Sequence, residues 1–417
     1  MNGAAADRAG ALGLLRAVLA PGATSSPAGP YALLARLRES APVLYDPETG
    51  TRFLTGFADC QAVLAGPAFA VPDAAWLHRE HPDWAARPAA DFFYASLLGT
   101  NGPAHARLRT PLTAAFGPRR AAELSAGVQR TVDELLDRFA DALSGGATAD
   151  FQALVGYPLP VAVVGELIGV PRADREQFHR LGRDAARLLE PVRSDEDWQR
   201  ADAAVTALRA YFAGLLRERR ARPAEDLATA LLADRPGTHR PLGESELADL
   251  LLLVFVAGFE TTAGLLGTAV HALLTHPDQT ALLRADPGLL PGAVEEALRW
   301  DGPVLMTERL ALEPVEIGGL PVPAGGSVTA VLGAANRDPR RHPDPDAFLV
   351  RRPDVRVLSF GAGPHYCFGA ALARLEAVLL LGPLLDRLPG LVPAGEPVRR
   401  ASACLRSFDT LPLAATG

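Results

Sequence analysis

The chain has 417 residues, 48% of them hydrophobic, which is ample for a large buried core. Its formal net charge of −7 and pI near 5.8 argue against a general nucleic-acid binder. No lysine occurs, so all 41 basic residues are arginine, and with 36 prolines and 39 glycines this is the residue usage of a GC-rich bacterial genome.

Residues 1–29 are rich in Ala, Gly, Pro and Ser and are predicted to form a flexible N-terminal segment. They lack a basic stretch followed by a long apolar core, and 12–19 is short and interrupted by Arg16. A short amphipathic helix is predicted over 31–39, with Leu33, Leu34 and Leu37 on one face. A hairpin over 43–45 and 52–55 and a helix over 57–65 follow. The stretch 69–102, with its prolines and scattered aromatics, reads as long and irregular. Helical patterns dominate 105–221, broken near Gly117-Pro118, Gly145-Gly146 and Gly169. One long helix is expected over 242–276, stopped by Pro277, and another over 291–300. The most apolar run, 250–257, is far below the ~20 residues needed to span a bilayer. Residues 310–333 alternate apolar and polar around glycines, as short strands do, and 368–381 is helical in pattern. No internal repeat or linker divides the chain. The expectation is a mainly α, minor β protein with one domain over 30–417.

Cys60, Cys367 and Cys404 are far apart and odd in number, which fits a reducing cytoplasm and no disulfide framework. Cys367 stands apart from the other two. It lies in Phe360-Gly361-Ala362-Gly363-Pro364-His365-Tyr366-Cys367-Phe368-Gly369, a Gly-rich turn that presents a cysteine at the start of a helix. Unpaired N–H groups and the helix dipole there favour thiolate over thiol. Gly361 and Gly363 allow the turn, Gly369 lets backbone approach something flat and bulky, and Phe360 walls the sulfur. The bland alternative is a small buried hydrophobe.

This segment resembles the haem-ligand signature of the cytochrome P-450 monooxygenases, Phe-Gly-x-Gly-x-His-x-Cys-x-Gly, at every specified position. The resemblance implies haem b, one per chain, with Cys367 as iron ligand. It also implies the family fold, a triangular prism with haem between the long central helix and the cysteine-bearing one. Ala257-Gly258-Phe259-Glu260-Thr261-Thr262 is similar to the family's oxygen-handling motif. A carboxylate in so apolar a helix is locally unfavourable, and such failures mark functional sites. By that resemblance Thr261 holds a water on the oxygen-binding side, and Glu260 links it to bulk solvent, so that two protons can be delivered.

Glu296 and Arg299, at i and i+3, resemble the family's Glu-x-x-Arg. The resemblance gives this pair a structural role with a downstream arginine, Arg352 or its neighbour Arg351. His105 and Arg109 match the family's His-x-x-x-Arg. With Arg309 and His365 they match the contacts to the haem propionates. Asn101-Gly102-Pro103-Ala104 departs from the Asp-Pro-Pro-Glu of many relatives.

By the same resemblance, the substrate pocket is lined by 69–102, 253–261, 303–307 and 403–408. Trp76, Trp84, Phe92, Phe93 and Tyr94 could stack on a ligand there or pack on the core. The expected activity is O₂-dependent hydroxylation or epoxidation of a bulky secondary metabolite such as a polyketide, macrolide, terpenoid or peptide. A peroxide-driven peroxygenase and a haem gas sensor or carrier are the alternatives, and the Glu260-Thr261 pair argues against both. No flavin or iron–sulfur segment is visible, so electrons are expected from a ferredoxin and its NAD(P)H-dependent reductase. Arg107, Arg119, Arg120, Arg356 and Arg374 are the candidate docking cations. A cytoplasmic monomer with no nucleic-acid or membrane partner is expected.

Overall fold

Apolar residues recurring every three to four positions make most of the chain helical. The computed structural model describes residues 2–20, 29–80, 82–190, 194–233 and 241–416. Its helices are α1 (Asn2–Leu19), α2 (Tyr31–Ser40), α3 (Phe57–Ala65), α4 (Ala74–Glu80), α5 (Pro88–Ala95), α6 (Gly102–Phe116), α7 (Pro118–Ala142), α8 (Pro158–Ile168), α9 (Arg175–Ala185), α10 (Asp195–Ala221), α11 (Leu227–Leu232), α12 (Glu244–Thr275), α13 (Pro277–Ala285), α14 (Leu290–Trp300), α15 (Leu332–Ala335) and α16 (Ala370–Arg387). Strands β1 (Val43–Tyr45), β2 (Arg52–Leu54), β3 (Phe69–Ala70), β5 (Thr307–Ala311) and β8 (Ser327–Ala330) form one sheet in the order β1-β2-β8-β5-β3. Only β2 and β8 pair in parallel there. Smaller sheets hold β4 (Thr148–Asp150), β6 (Val315–Ile317), β7 (Leu320–Val322), β9 (Leu391–Pro393), β10 (Val398–Arg399), β11 (Phe408–Thr410) and β12 (Pro412–Ala415).

The α12 helix is the centre of the main core. Leu250 to Val256 are buried without a break, because α8, α9, α10, α14 and α16 pack around them. By length and composition α12 could cross a membrane, but 83% of its apolar window is buried inside the protein. The surrounding helices satisfy that apolar surface.

Two expectations from sequence are corrected. Within the segment expected to be flexible, α1 is a helix whose Ala11, Leu15 and Val18 are buried with Leu34 and Leu37 of α2. Arg16, which interrupts the apolar run, bonds Asp46 at 2.8 and 3.0 Å. Met1 and residues 21–28 lie outside the described residues. The stretch expected to be irregular, 69–102, contains β3, α4, a turn of 3₁₀ helix and α5. Phe92 is buried in the core there, while Trp84 and Tyr94 pack edge to face at 5.8 Å.

A charged cluster fixes the segment that leads to the cysteine turn. Glu296 and Arg299 on α14 pair at 2.7 Å with both side chains fully buried. Arg352 joins Glu296 at 3.1 Å, whereas Arg351 is exposed. The Leu349 N–H donates to Glu296 at 2.8 Å, and Arg299 donates to the Pro345 and Ala347 carbonyls at 2.7 and 2.9 Å. Removing one partner of such a pair leaves an uncompensated buried charge. Glu296→Ala is expected to destabilise the fold by about 3–5 kcal/mol. Arg351→Ala should stay within about 0.5 kcal/mol of the parent. Chemical denaturation midpoints check both.

Candidate active site

The cysteine turn is built by two left-handed glycines. Gly361 and Gly363 both have φ of +70°, and a Cβ on Gly363 would lie 2.7 Å from the Leu64 carbonyl on α3. The Gly361 N–H donates to the Leu358 carbonyl at 2.8 Å, and the Cys367 N–H donates to the Phe360 carbonyl at 2.9 Å. Asn336 ties the turn to the charged cluster: its side chain accepts from the Leu358 N–H and donates to Ser359, each at 2.8 Å. Arg299 in turn donates to the Asn336 carbonyl at 3.4 Å.

The helix after Cys367 starts at Ala370 rather than 368, and it runs past Pro383 to Arg387. The backbone N–H groups of Gly369 and Ala370, at the helix start, act to lower the thiol pKa. The expected lowering of the thiol pKa is nevertheless corrected. Burial pushes Cys367 up, and those N–H groups, Arg109 and Arg374 only partly offset it. Protein atoms crowd the sulfur while part of the residue stays accessible. A cation at the sulfur would be needed to hold it as thiolate. A Cβ on Gly369 would meet that sulfur at 3.8 Å, and Phe360 lies beneath Arg374 at 4.4 Å.

Four basic side chains gather beside this turn. His105 and His365 have ring centroids 4.3 Å apart. Arg109 reaches from α6 to the Tyr366 carbonyl at 2.7 Å. Arg309 on β5 is buried, and among the described residues its side chain bonds Thr307 and the Glu308 carbonyl. Burial and the neighbouring charges of His105, Arg309 and Arg109 push His365 down to about 3. Burial alone brings Arg309 down to about 10. Among the described residues, none of the four has a carboxylate at ion-pair distance. In an acidic protein, such a cluster is a site for an anion with carboxylate oxygens. A haem, with two propionates and an iron for a soft sulfur ligand, fits these residues.

On α12, the Thr261 hydroxyl donates to the Ala257 carbonyl at 2.8 Å, which leaves its lone pairs as acceptors. Gly258 admits α8: a Cβ there would lie 2.9 Å from Val164. Glu260 is 1% exposed. Its Oε1 accepts from Arg400, a residue that sequence reasoning missed, and its Oε2 is buried with no hydrogen-bond partner among the described residues. The two residues are 140 positions apart, and no spacing rule links them.

The structure brings two of the four expected lining segments together, 303–307 and 403–408, and sets them against α12 just beyond the third. The Leu305 N–H donates to the Cys404 carbonyl and the Arg406 N–H to the Pro303 carbonyl, both at 2.8 Å. A Cβ on Gly264 of α12 would lie 2.6 Å from the Arg406 carbonyl and 3.2 Å from Pro303. The five candidate docking arginines are all engaged within the chain. Arg107 pairs with Glu246, Arg119 and Arg120 with Glu123, Arg356 with Asp354 and Arg374 with Glu295.

The family model for cytochrome P450 matches residues 78–401. The chain belongs to the cytochrome P450 family. It is 38% identical to cytochrome P450 monooxygenase PikC of Streptomyces venezuelae, over 93% of this chain and 91% of that one. It is 36% identical to the 6-deoxyerythronolide B hydroxylase of Saccharopolyspora erythraea, over 93% of this chain and 96% of that one. The crystal structure of P450BioI in complex with an acyl carrier protein ligated to hexadec-9Z-enoic acid superposes with a TM-score of 0.86 at 32% identity, covering 93% of this chain and 98% of that one. This P450 is therefore a monooxygenase that uses haem iron, and its mainly α architecture is the family fold.

In this P450, Cys60 donates to the Leu54 carbonyl at 3.3 Å and burial pushes its thiol up, while Cys404 points at the Met306 carbonyl at 3.5 Å. Neither adjoins the basic cluster in sequence. Cys367→Ser is expected to abolish the long-wavelength Soret band of the reduced carbon monoxide complex. Persistence of that band would move the ligand to Cys60 or Cys404.

Proposed function

We propose that this P450 inserts one atom of O₂ into a bulky, largely apolar secondary metabolite, by hydroxylation or epoxidation. The observation that carries the reading is the apolar wall where the 303–305 and 404–406 backbones pair against α12 at Gly264. Leu405, in the main core, and half-buried Val304 packed against that core contribute its apolar surface. The relative named for 6-deoxyerythronolide B supports a polyketide-type substrate.

Each residue has a task. Cys367 is the iron ligand, and the N–H groups of Gly369 and Ala370 stabilise charge on its sulfur. His105, Arg109, Arg309 and His365 bind the propionates of one haem b per chain. When bound, the haem supplies O₂ activation. Thr261 accepts a hydrogen bond from a water and keeps it on the oxygen-binding side. Glu260 exchanges protons with that water through its free Oε2. Electrons come from a ferredoxin and its NAD(P)H-dependent reductase. The working form is a cytoplasmic monomer.

A spin-state titration tests the substrate class, using 6-deoxyerythronolide B, a steroid and a straight-chain fatty acid as probes. The macrolactone is expected to shift the Soret band to the blue. A shift given only by the fatty acid would overturn the bulky-metabolite reading. Thr261→Ala is expected to keep haem content and probe binding while diverting electrons to hydrogen peroxide. Unchanged coupling of NADPH use to product would remove the role given to Thr261.

A further inference from the structure

Glu260 is a buried carboxylate with one oxygen engaged and one free. The engaged oxygen is held by Arg400, itself 9% exposed. Arg400 directly follows β10, and its N–H donates to the Ser407 carbonyl at 3.1 Å. The hairpin backbone therefore sets where the guanidinium begins. The hairpin is anchored in turn. Glu190 accepts from the Ser402 hydroxyl and from the Ala403 and Cys404 N–H groups at 3.0 and 3.3 Å. Arg399 and Arg406, on either side of Arg400, bond Asp301 at 2.8 and 2.6 Å.

Other titratable groups face the pair from two further elements. The Tyr157 hydroxyl, at the start of α8, donates to the Phe408 carbonyl at 3.0 Å and feels both Glu260 and Arg400. On α9, the His179 ring lies 4.8 Å from the Tyr157 ring, and Arg183 stacks over it at 5.5 Å while pairing with Asp409. Arg400 alone among them bonds Glu260.

We infer that Arg400 is the positioning residue of proton delivery: by pinning one oxygen of Glu260 it fixes the carboxylate and leaves the other oxygen free to exchange a proton. The inference rests on the proton-exchange role proposed above for Glu260. The physical requirement is plain. Burying a carboxylate this deeply is costly unless a hydrogen-bonded cation offsets the lost hydration. A guanidinium held by a fixed hairpin supplies that cation without blocking both oxygens.

The test uses the haem-loaded enzyme with a surrogate plant-type ferredoxin and its NADPH-dependent reductase. It reads hydrogen peroxide released per NADPH between about pH 6 and 9, around the range where a proton donor operates. Arg400→Gln is expected to raise the peroxide yield severalfold. Arg400→Lys should restore the wild-type peroxide yield, and adding Arg400→Gln to Glu260→Gln should change nothing further. Glu260→Asp breaks the same contact from the other side, and should copy Arg400→Gln even if that variant fails to hold haem. A wild-type profile in Arg400→Gln or Glu260→Asp, or an equal added effect in the Glu260→Gln background, would overturn the proposal. Glu260→Gln with an unchanged peroxide yield would instead remove the role of Glu260 itself.

Discussion

The Cys367 turn holds its shape because a fully buried carboxylate, Glu296, must be neutralised. Its two oxygens accept from Arg299, Arg352 and the Leu349 N–H. Arg299 shares α14 with Glu296, while Leu349 and Arg352 come from the loop at 343–352, so helix and loop cannot part without stranding charge. From there the connection continues in neutral hydrogen bonds. Ser359 donates to the Leu298 carbonyl at 2.7 Å, and Asn336 spans to Leu358 and Ser359. The residues just before Phe360 are thus pinned to α14 at one end. The glycine turn begins from a fixed point.

A second constraint follows from composition. The chain is acidic overall and draws all its side-chain cations, histidine aside, from arginine. Most arginines near the functional region have acid partners. Among the described residues the exceptions, Arg109 and Arg309, lie together with two histidines beside the cysteine turn. Burying cations without anions is costly unless a ligand supplies the anions. The placement makes electrostatic sense only with carboxylates from outside the polypeptide. The same reasoning weakens electrostatic docking through the five surface arginines. Each already has a carboxylate, and exposed pairs of this kind contribute little energy.

Local pattern carried much of the fold. The helix at Phe57–Ala65 and the hairpin strands at Val43–Tyr45 and Arg52–Leu54 follow the sequence periodicity closely. The cysteine turn was legible because its glycines, histidine and cysteine lie within ten positions. What stayed hidden depends on distant packing. The α1 helix is composed of small residues with little periodic signal, and burial against α2 defines it. The short helices in 69–102 were masked by prolines that in fact precede or start helical turns, as Pro88 does. The Cys367 thiol was misjudged because helix-end effects are visible in sequence and desolvation is not. Arg352 was separable from Arg351 only once Glu296 could be placed against both.

The C-terminal hairpin shows how far such non-local effects reach. Its residues 399–406 engage three carboxylates from three parts of the chain: Asp301 after α14, Glu260 on α12, and Glu190 after α9. The same segment pairs its backbone with 303–305, the apolar wall of the proposed pocket. A hairpin tied at three charged points cannot move its wall residues while leaving Arg400 in place. The shape of the apolar wall and the setting of Glu260 are therefore one mechanical unit. A substitution that reshapes the wall through 402–406 will therefore also disturb Glu260 through Arg400.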